Sequence, residues 1–170
     1  VERFNGAVQE LHKIVESPIF VECKRMGPFS DRIKDDGVVL DIMIHDIDII
    51  LNLIQSKVVK THVLGASVFS EKDDLVNAQL EFENGCIANV TASRISTKNE
   101  RKMRIFQHDA YIMIDFVNKK VLVARKGEGE MLPGVPKIAV EEHNYEEDDI
   151  LEREIEAASA AGIVTAWRLK

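Results

Sequence analysis

Several features that would assign this 170-residue chain to a functional class are absent from its sequence. No apolar run reaches the roughly 18 residues that span a bilayer, and no basic segment followed by an apolar one opens the chain as in a signal peptide. Its two cysteines, Cys23 and Cys86, are too few for a disulfide framework and lie far apart in strand-like segments. We therefore predict buried, reduced thiols, no membrane association and a cytoplasmic location.

Positive charge is also scarce. The chain has 22 lysines and arginines against 29 aspartates and glutamates, which gives a formal net charge of −7. Because nucleic-acid-binding proteins concentrate Lys and Arg on one surface, this balance argues against a nucleic-acid partner. The composition, 45% hydrophobic and 30% charged, predicts a globular protein, and residues 1–170 are enough for one well-packed domain.

The fingerprint of a dinucleotide-binding fold is missing as well. A Gly-x-Gly-x-x-Gly turn between a strand and a helix holds the pyrophosphate of NAD in such folds. The nearest candidate, Gly127-Glu128-Gly129, lies in a predicted loop and lacks the third glycine. The sequence also begins at Val1 without a methionine and enters directly on helix-forming residues, which suggests a domain of a longer protein.

Hydrophobic periodicity predicts helices at both ends of the chain and one long helix before a run of strands. Asn84-Gly85 between two alternating segments is a strong hairpin signal. Strands in one run, with helices before and after, predict an α+β domain with a largely antiparallel open β-sheet and helices packed on one face. The predicted helices are 6–16, 37–54 and 150–160, the strands 19–26, 58–69, 75–82, 86–92, 103–106, 111–116, 120–124 and 138–141, and 126–135 is a loop.

The helix over 37–54 carries the most informative pattern. It is apolar nearly all round, yet Asp41, His45, Asp48 and Asn52 fall within an arc of roughly 60° at helical spacing, while Asp46 points away from them. A polar stripe on a mostly buried helix is costly unless its groups are satisfied or face a cavity. The stripe is therefore a candidate functional site.

Three interpretations of this stripe remain open from the residues alone. Asp41 and His45 are four residues apart, so the carboxylate could orient the imidazole or stabilise its cation, as general acid–base catalysis requires. The stripe could instead be the solvent face of a surface helix, with His45 an incidental polar residue. A metal site on the same pair is the third interpretation, but no third ligand lies nearby, and we predict no metal.

The residues of this helix resemble a known signature. Asp36-Gly37, Asp41 and His45 are similar to the Asp-Gly-Gly-x3-Asp-x3-His motif of the Gfo/Idh/MocA oxidoreductase family, with Val38 in place of the second glycine. The resemblance covers about residues 1–156, and 157–170 look atypical. It is closest to the branch of UDP-N-acetylglucosamine 3-dehydrogenases, and further matching segments are Val1–Asn5, Glu22–Arg25, Ser93-Arg94 and the Glu83–Gly85 hairpin.

The resemblance implies the C-terminal half of a two-domain dehydrogenase. NAD or NADP would be bound mainly by an N-terminal Rossmann domain that is absent from this chain. His45 would be the general acid/base for a secondary alcohol of a sugar or sugar nucleotide, and Asp41 would orient it or hydrogen-bond a neighbouring hydroxyl. Arg25, Arg94 and Asp48 would contact the substrate. Members of the family often oligomerise, which implies a homo-oligomer formed through the sheet face.

The alternative hypothesis is a stand-alone sheet domain used for binding or dimerisation without catalysis. An exposed apolar sheet face would suit that use. Under the first hypothesis the isolated chain is inactive, because the cofactor carries the redox chemistry. The two hypotheses differ over the residues that precede Val1, which under the first include a dinucleotide-binding unit.

Overall fold

The computed structural model describes residues 6–29 and 36–145. Two helices precede most of a single sheet, and the second helix is preceded by a short π-helical segment, called here the π turn. In chain order the elements are α1 (Gly6–Ile14), β1 (Phe20–Met26), the π turn (Val39–Met43), α2 (Ile44–Ile54), β2 (Val58–Ala66), β3 (Leu75–Phe82), β4 (Ile87–Ser93), β5 (Glu100–Phe106), β6 (Ala110–Asp115), β7 (Lys120–Leu132) and β8 (Val135–Asn144).

The eight strands form one sheet in the order β2-β3-β4-β1-β5-β6-β7-β8. Strand β1 lies between β4 and β5, parallel to the first and antiparallel to the second, and every other pairing is antiparallel. This confirms the predicted α+β class with a largely antiparallel open sheet. As a result of this strand order, β1 occupies the middle of the sheet beneath the helices although it comes early in the sequence.

The hydrophobic core lies between the two helices and one face of the sheet. Along β3 and β4 every second residue is buried, which is the pattern of strands with one covered face. Removing a Leu or Ile side chain from water contributes about 1.5–3 kcal/mol, so these contacts supply most of the attraction that holds α2 on the sheet. The buried apolar residues contributed by the helices are Val8, Leu11, Ile49, Ile50, Leu53 and Ile54.

The C-terminal hairpin differs from the prediction. Most of residues 126–135, predicted as a loop, belongs to paired strands: β7 extends to Leu132 and β8 begins at Val135, so only 133–134 form a turn. The glycines that suggested a loop are absorbed by register shifts on either side of Glu130, with Gly129 at a positive φ of 84°. Pro136 lies on an edge strand, where a missing N–H is tolerated.

Other predicted elements agree to within a few residues. The Asn84-Gly85 turn joins β3 to β4 as predicted, and Gly85 has the positive φ (85°) that favours glycine. Strand β2 ends at Ala66 rather than at residue 69, and β5 begins at Glu100 rather than at residue 103. The predicted final helix, 150–160, lies outside the described residues.

Both cysteines are buried and free, as predicted. Burial raises the pKa of the Cys86 thiol to about 11, so it remains protonated at neutral pH. Of the helices in the described ranges, none combines the length and apolar character that a membrane crossing requires.

Candidate functional site

The predicted catalytic helix begins with an irregular turn. From Val39 to Met43 the backbone is π-helical, with the Ile44 N–H donating to the Val39 carbonyl, and the regular helix α2 starts only at Ile44. Single π turns within helices are rare and occur frequently at functional sites. Asp41 lies in this turn and His45 in the first turn of α2. The sequence pattern assumed a regular helix throughout and gave no sign of this change in winding.

The face of this helix that lies open to solvent is largely apolar. Leu40, Ile44 and Leu51 are 64%, 44% and 44% exposed, whereas Asp41 and His45 are only partly exposed. A helix face intended for water is normally polar, and a row of exposed aliphatic side chains usually marks a contact surface. The partly exposed polar stripe therefore borders an apolar surface on this side of the helix.

At its C-terminal end, the polar stripe contacts helix α1. The Asn52 amide nitrogen lies 3.3 Å from His12 Nε2, which ties α2 to α1. Asp48, one turn before, is partly exposed. Across residues 6–29 and 36–145, the side chains of Asp41 and His45 form no hydrogen bond or ion pair. The two groups predicted to do chemistry are thus the ones whose polar atoms remain available to a ligand.

Arg25 and Asp46 form a buried ion pair beside His45. Arg25 Nε donates to Asp46 Oδ2 at 2.9 Å and Nη2 to Oδ1 at 2.7 Å, so the contact is bidentate. The Asp46 side chain is 0% exposed and that of Arg25 is 12% exposed. Arg25, predicted to contact substrate, therefore joins the end of β1 to the first turn of α2.

Two neighbours complete the surroundings of Asp46. Burial raises the pKa of the Cys23 thiol well above its ordinary value, and the Asp46 carboxylate raises it further, so the thiol stays neutral beside this carboxylate. Arg101 lies directly opposite Arg25 in the β1–β5 ladder. Its guanidinium lies 4.5 Å from the centre of the Phe116 ring. Arg25, Arg101 and Ile42 line an open cavity of about 310 Å³.

The second predicted arginine, Arg94, is the centre of a separate polar network. It is 4% exposed, and its Nε donates to Asp74 Oδ1 at 2.8 Å. Its Nη1 donates to the Asp36 carbonyl at 2.7 Å and its Nη2 to Ser70 Oγ at 2.9 Å. Arg94 thereby joins the end of β4 to the loop after β2 and to the segment that leads into the π turn.

Asp74 organises the loop after β2. Burial alone would raise its pKa, but the N–H of Phe69, the Ser70 hydroxyl, Arg94 and the N–H of Val68 all donate to its carboxylate and together hold its pKa far below the usual range. The backbone carbonyl of the preceding residue, Asp73, accepts a hydrogen bond from Val38 N–H at 2.9 Å. This loop therefore supports the start of the π turn.

We expect the Asp74→Asn variant to show a pH-dependent loss of stability. Because the folded pKa lies below the unfolded value of about 3.9, the ionised carboxylate stabilises the fold above that pH, and the contribution is lost as the pH falls toward the folded pKa. The difference between the urea midpoints of the wild type and Asp74→Asn should therefore be largest at pH 7. It should shrink progressively as the pH falls below about 4. Asp73→Asn, an exposed neighbour, is the control. A difference from wild type that does not change with pH would contradict this role of Asp74.

Sequence reasoning missed Asp46 and Asp74, although a signal for Asp46 was present. Asp46 is four residues after Ile42 and four before Ile50, so it shares the inward arc of the helix with them. A charge in that arc requires a buried partner, and Arg25 lies on the same face of β1 as Val21 and Cys23. No comparable sequence signal identifies Asp74, because its partners come from loop backbone.

The described residues do not fit a metal or a dinucleotide. They contain no group of three or more His, Cys, Asp or Glu side chains placed to hold a metal ion. Gly127 and Gly129 lie within β7, in the hairpin, and no Gly-x-Gly-x-x-Gly turn leads from a strand into a helix in the part of the chain that the structure covers. A nicotinamide cofactor would have to be bound by residues outside this part of the chain.

The sequence is similar to that of a characterised enzyme. UDP-N-acetylglucosamine 3-dehydrogenase from Acidithiobacillus ferrooxidans is 34% identical over 157 residues, which make up 92% of this chain and 50% of that enzyme. The chain thus spans about half the length of this curated relative. A solved structure of the same enzyme, GnnA, matches with a TM-score of 0.84 and 34% identity, over 95% of this chain and 52% of that one.

More distant structures share the fold. The super-repressor mutant of Gal80p from Saccharomyces cerevisiae matches at a TM-score of 0.75 and 10% identity, over 95% of this chain and 49% of that one. The dehydrogenase MviM from Clostridium difficile matches at 0.71 and 16%, over 95% and 50%. At these identities the likeness shows the fold alone. The profile of the GFO/IDH/MocA C-terminal domain matches residues 6–113, well over half of the sequence, and the resemblance seen in the signature residues is thereby confirmed. The chain belongs to the GFO/IDH/MocA C-terminal domain family.

Proposed function

We propose that this chain is the substrate-side domain, over residues 1–170, of an NAD(P)-dependent oxidoreductase that acts on a secondary alcohol of a sugar or sugar nucleotide. One observation carries the proposal. Asp41 and His45 stand unpaired and partly exposed, within the described residues, on the helix that bears the family signature. The 34% identity to a UDP-N-acetylglucosamine 3-dehydrogenase makes UDP-N-acetylglucosamine the first substrate to test.

His45 would act as the general acid/base. In the oxidative direction its imidazole accepts the proton of the substrate hydroxyl, and in the reductive direction it returns that proton to the carbonyl oxygen. Histidine suits this task because its two protonation states interconvert near neutral pH. Asp41, four residues earlier in the sequence, would orient this imidazole, and contacts of this kind often tighten only when substrate is bound.

The cofactor would be held by a domain outside this chain. The redox chemistry belongs to the nicotinamide and not to any side chain described above. The exposed row of Leu40, Ile44 and Leu51, next to Asp41 and His45, supports a second domain or a substrate covering this side of the helix. The choice between NAD and NADP belongs to that domain.

The predicted substrate contacts differ in how exposed they are. Asp48 is partly exposed on the same stripe as His45. Arg25 and Arg94 each hold a buried carboxylate, at 2.7 and 2.8 Å. All three stay predictions, and Asp48 is the first to test as a group that binds a sugar hydroxyl.

We also propose a homo-oligomer formed through the open face and edges of the sheet, in the cytoplasm. Aliphatic side chains are exposed along the edge strand β2, where Val59, Val63 and Leu64 are 61%, 56% and 65% exposed. The hairpin of β7 and β8 adds Met131 and Ile138, 68% and 63% exposed. Exposed aliphatic groups at both edges of one sheet support contact with another polypeptide.

The same exposed edges favour the alternative function, a sheet domain used for binding or dimerisation without catalysis. Fold alone does not decide between the two, because one fold commonly supports unrelated functions. The alternative predicts that the Asp41 and His45 side chains have no effect on the protein's activity in its cell.

The deciding experiment uses the protein expressed from its complete reading frame. We expect reduction of NAD or NADP with UDP-N-acetylglucosamine, and slower reduction with free N-acetylglucosamine, since remote binding energy from the nucleotide contributes to turnover. A reading frame with no dinucleotide-binding unit, or a purified full-length protein that oxidises no sugar or sugar nucleotide, would contradict the proposal and favour the binding domain.

A further inference from the structure

We propose that Arg25 is a positioning residue: its bidentate ion pair with Asp46 sets the rotation of the first turn of α2 and thereby the direction of the His45 side chain. The inference rests on the proposed function for its catalytic consequence, whereas its structural part concerns this chain alone. It assigns Arg25 a role different from the substrate contact that the family resemblance implies.

The geometry of the pair is directional. Two parallel N–H···O contacts, at 2.9 and 2.7 Å, fix both the distance and the plane of the carboxylate relative to the guanidinium. Asp46 directly follows His45 in the helix, so a rotation that moved one would move the other through the same angle. The pair therefore restrains the backbone that carries His45 from a neighbouring face of the helix, about 100° around its axis.

Besides this pair, the backbone hydrogen bond from Val38 N–H to the Asp73 carbonyl holds the start of the π turn, eight residues before Asp46. Neither the π turn nor α2 begins with a side-chain cap: Val38 and Met43, at the two N-cap positions, make no capping hydrogen bond. Met43 is buried, but apolar packing is non-directional and flexible methionine adapts to small rotations. Leu40 and Ile44, in the same part of the helix, are exposed and therefore add little packing.

The energetics also indicate a role other than stability. Two charges buried at 0% and 12% exposure cost more to desolvate than a pair of well-packed apolar residues of the same size. Buried ion pairs of this kind often add little net stability, and their best supported use is to specify one arrangement over others. Here the arrangement specified is the position of α2 on β1.

The test is Arg25→Lys. Lysine keeps the charge but is a point donor that cannot reproduce the fork of the guanidinium, so Asp46 stays paired while the restraint on rotation is lost. In the full-length protein we expect kcat to fall roughly 10- to 100-fold with KM for the sugar nucleotide unchanged, because sub-ångström misplacement of a catalytic group lowers turnover. In this chain alone, the His45 imidazole signals in a ¹H–¹⁵N spectrum should shift while those of the exposed His62 stay in place.

The matched control is Arg125→Lys, the same substitution in an exposed ion pair with Asp109 at 2.7 Å, which should alter neither measurement. A raised KM with unchanged kcat in Arg25→Lys would make Arg25 a substrate contact and overturn the inference, as would unchanged kcat together with unchanged His45 signals. If Arg25→Lys does not fold, Arg25→Met with Asp46→Leu replaces it, with the same expected effects. If the wild-type protein has no turnover, the proposed function fails, and the His45 signals alone decide whether Arg25 positions the ring.

Discussion

Replacing His45 by alanine in the full-length protein should lower turnover by about 10²–10⁴-fold, the usual contribution of a general acid/base. The loss should appear in kcat rather than in binding of the cofactor, because no part of the described chain forms a dinucleotide site. His45 is the only histidine of the polar stripe, and histidine is the side chain best suited to act as a base near neutral pH, so we expect no neighbour to substitute for it.

Steady-state kinetics with saturating cofactor measure this effect. The matched control is His62→Ala, which removes an exposed histidine from the edge strand β2 and should leave kcat unchanged. A His45→Ala variant with normal kcat and a raised KM would show instead that His45 binds the substrate without transferring a proton.

Replacing Asp46 alone by leucine should destabilise the chain by about 3–5 kcal/mol, the cost of leaving one member of a buried ion pair without its partner. Arg25 would then keep a guanidinium that is 12% exposed facing an aliphatic side chain. The measurement is the free energy of unfolding in urea at neutral pH, with circular dichroism as the signal. An effect of this size would be among the largest that a single substitution produces.

The double variant, Arg25→Met with Asp46→Leu, distinguishes the loss of the whole ion pair from the loss of Asp46 alone. Replacing a buried ion pair by apolar residues of similar volume is often neutral or stabilising, so we expect the double variant to regain most of the lost stability. A double variant as unstable as Asp46→Leu would mean that Asp46 stabilises the fold through Cys23 or the helix backbone rather than through Arg25.

Sequence patterns predicted those elements well whose structure depends on residues that are close in sequence. Strand β3 was predicted at its observed bounds, since alternation and the Asn84-Gly85 turn both act on neighbouring residues. The extension of β7 and β8 could not be predicted in the same way. Its glycines and proline favour a loop locally, and the hairpin forms because the two strands hydrogen-bond to each other from the turn at 133–134 back to Lys120 and Asn144.

The candidate site was predicted in part for a related reason. Helical spacing placed Asp41, His45 and Asp48 on one side of the helix, and all three are partly exposed there. The π turn was not predictable from spacing, because it depends on what holds the two ends of the turn. Val38 is held by the Asp73 carbonyl and Asp46 by Arg25, and both partners come from other parts of the fold.

The two arginines illustrate what a family motif leaves out. Position relative to the motif suggested substrate contacts for both Arg25 and Arg94. The structure places each guanidinium against a carboxylate that sequence spacing could not pair with it, Asp46 at 21 residues and Asp74 at 20 residues of separation. Which contacts an arginine makes is decided by the tertiary neighbours of its strand, here α2 for β1 and the loop after β2 for β4.

The central claim, that His45 moves the substrate proton, is tested most directly by measuring turnover of the full-length His45→Ala variant with and without added imidazole. The account predicts a variant whose lost turnover is partly restored by imidazole, because a free base can enter the space left by the side chain and accept the same proton. Wild-type turnover in His45→Ala without imidazole would contradict the claim.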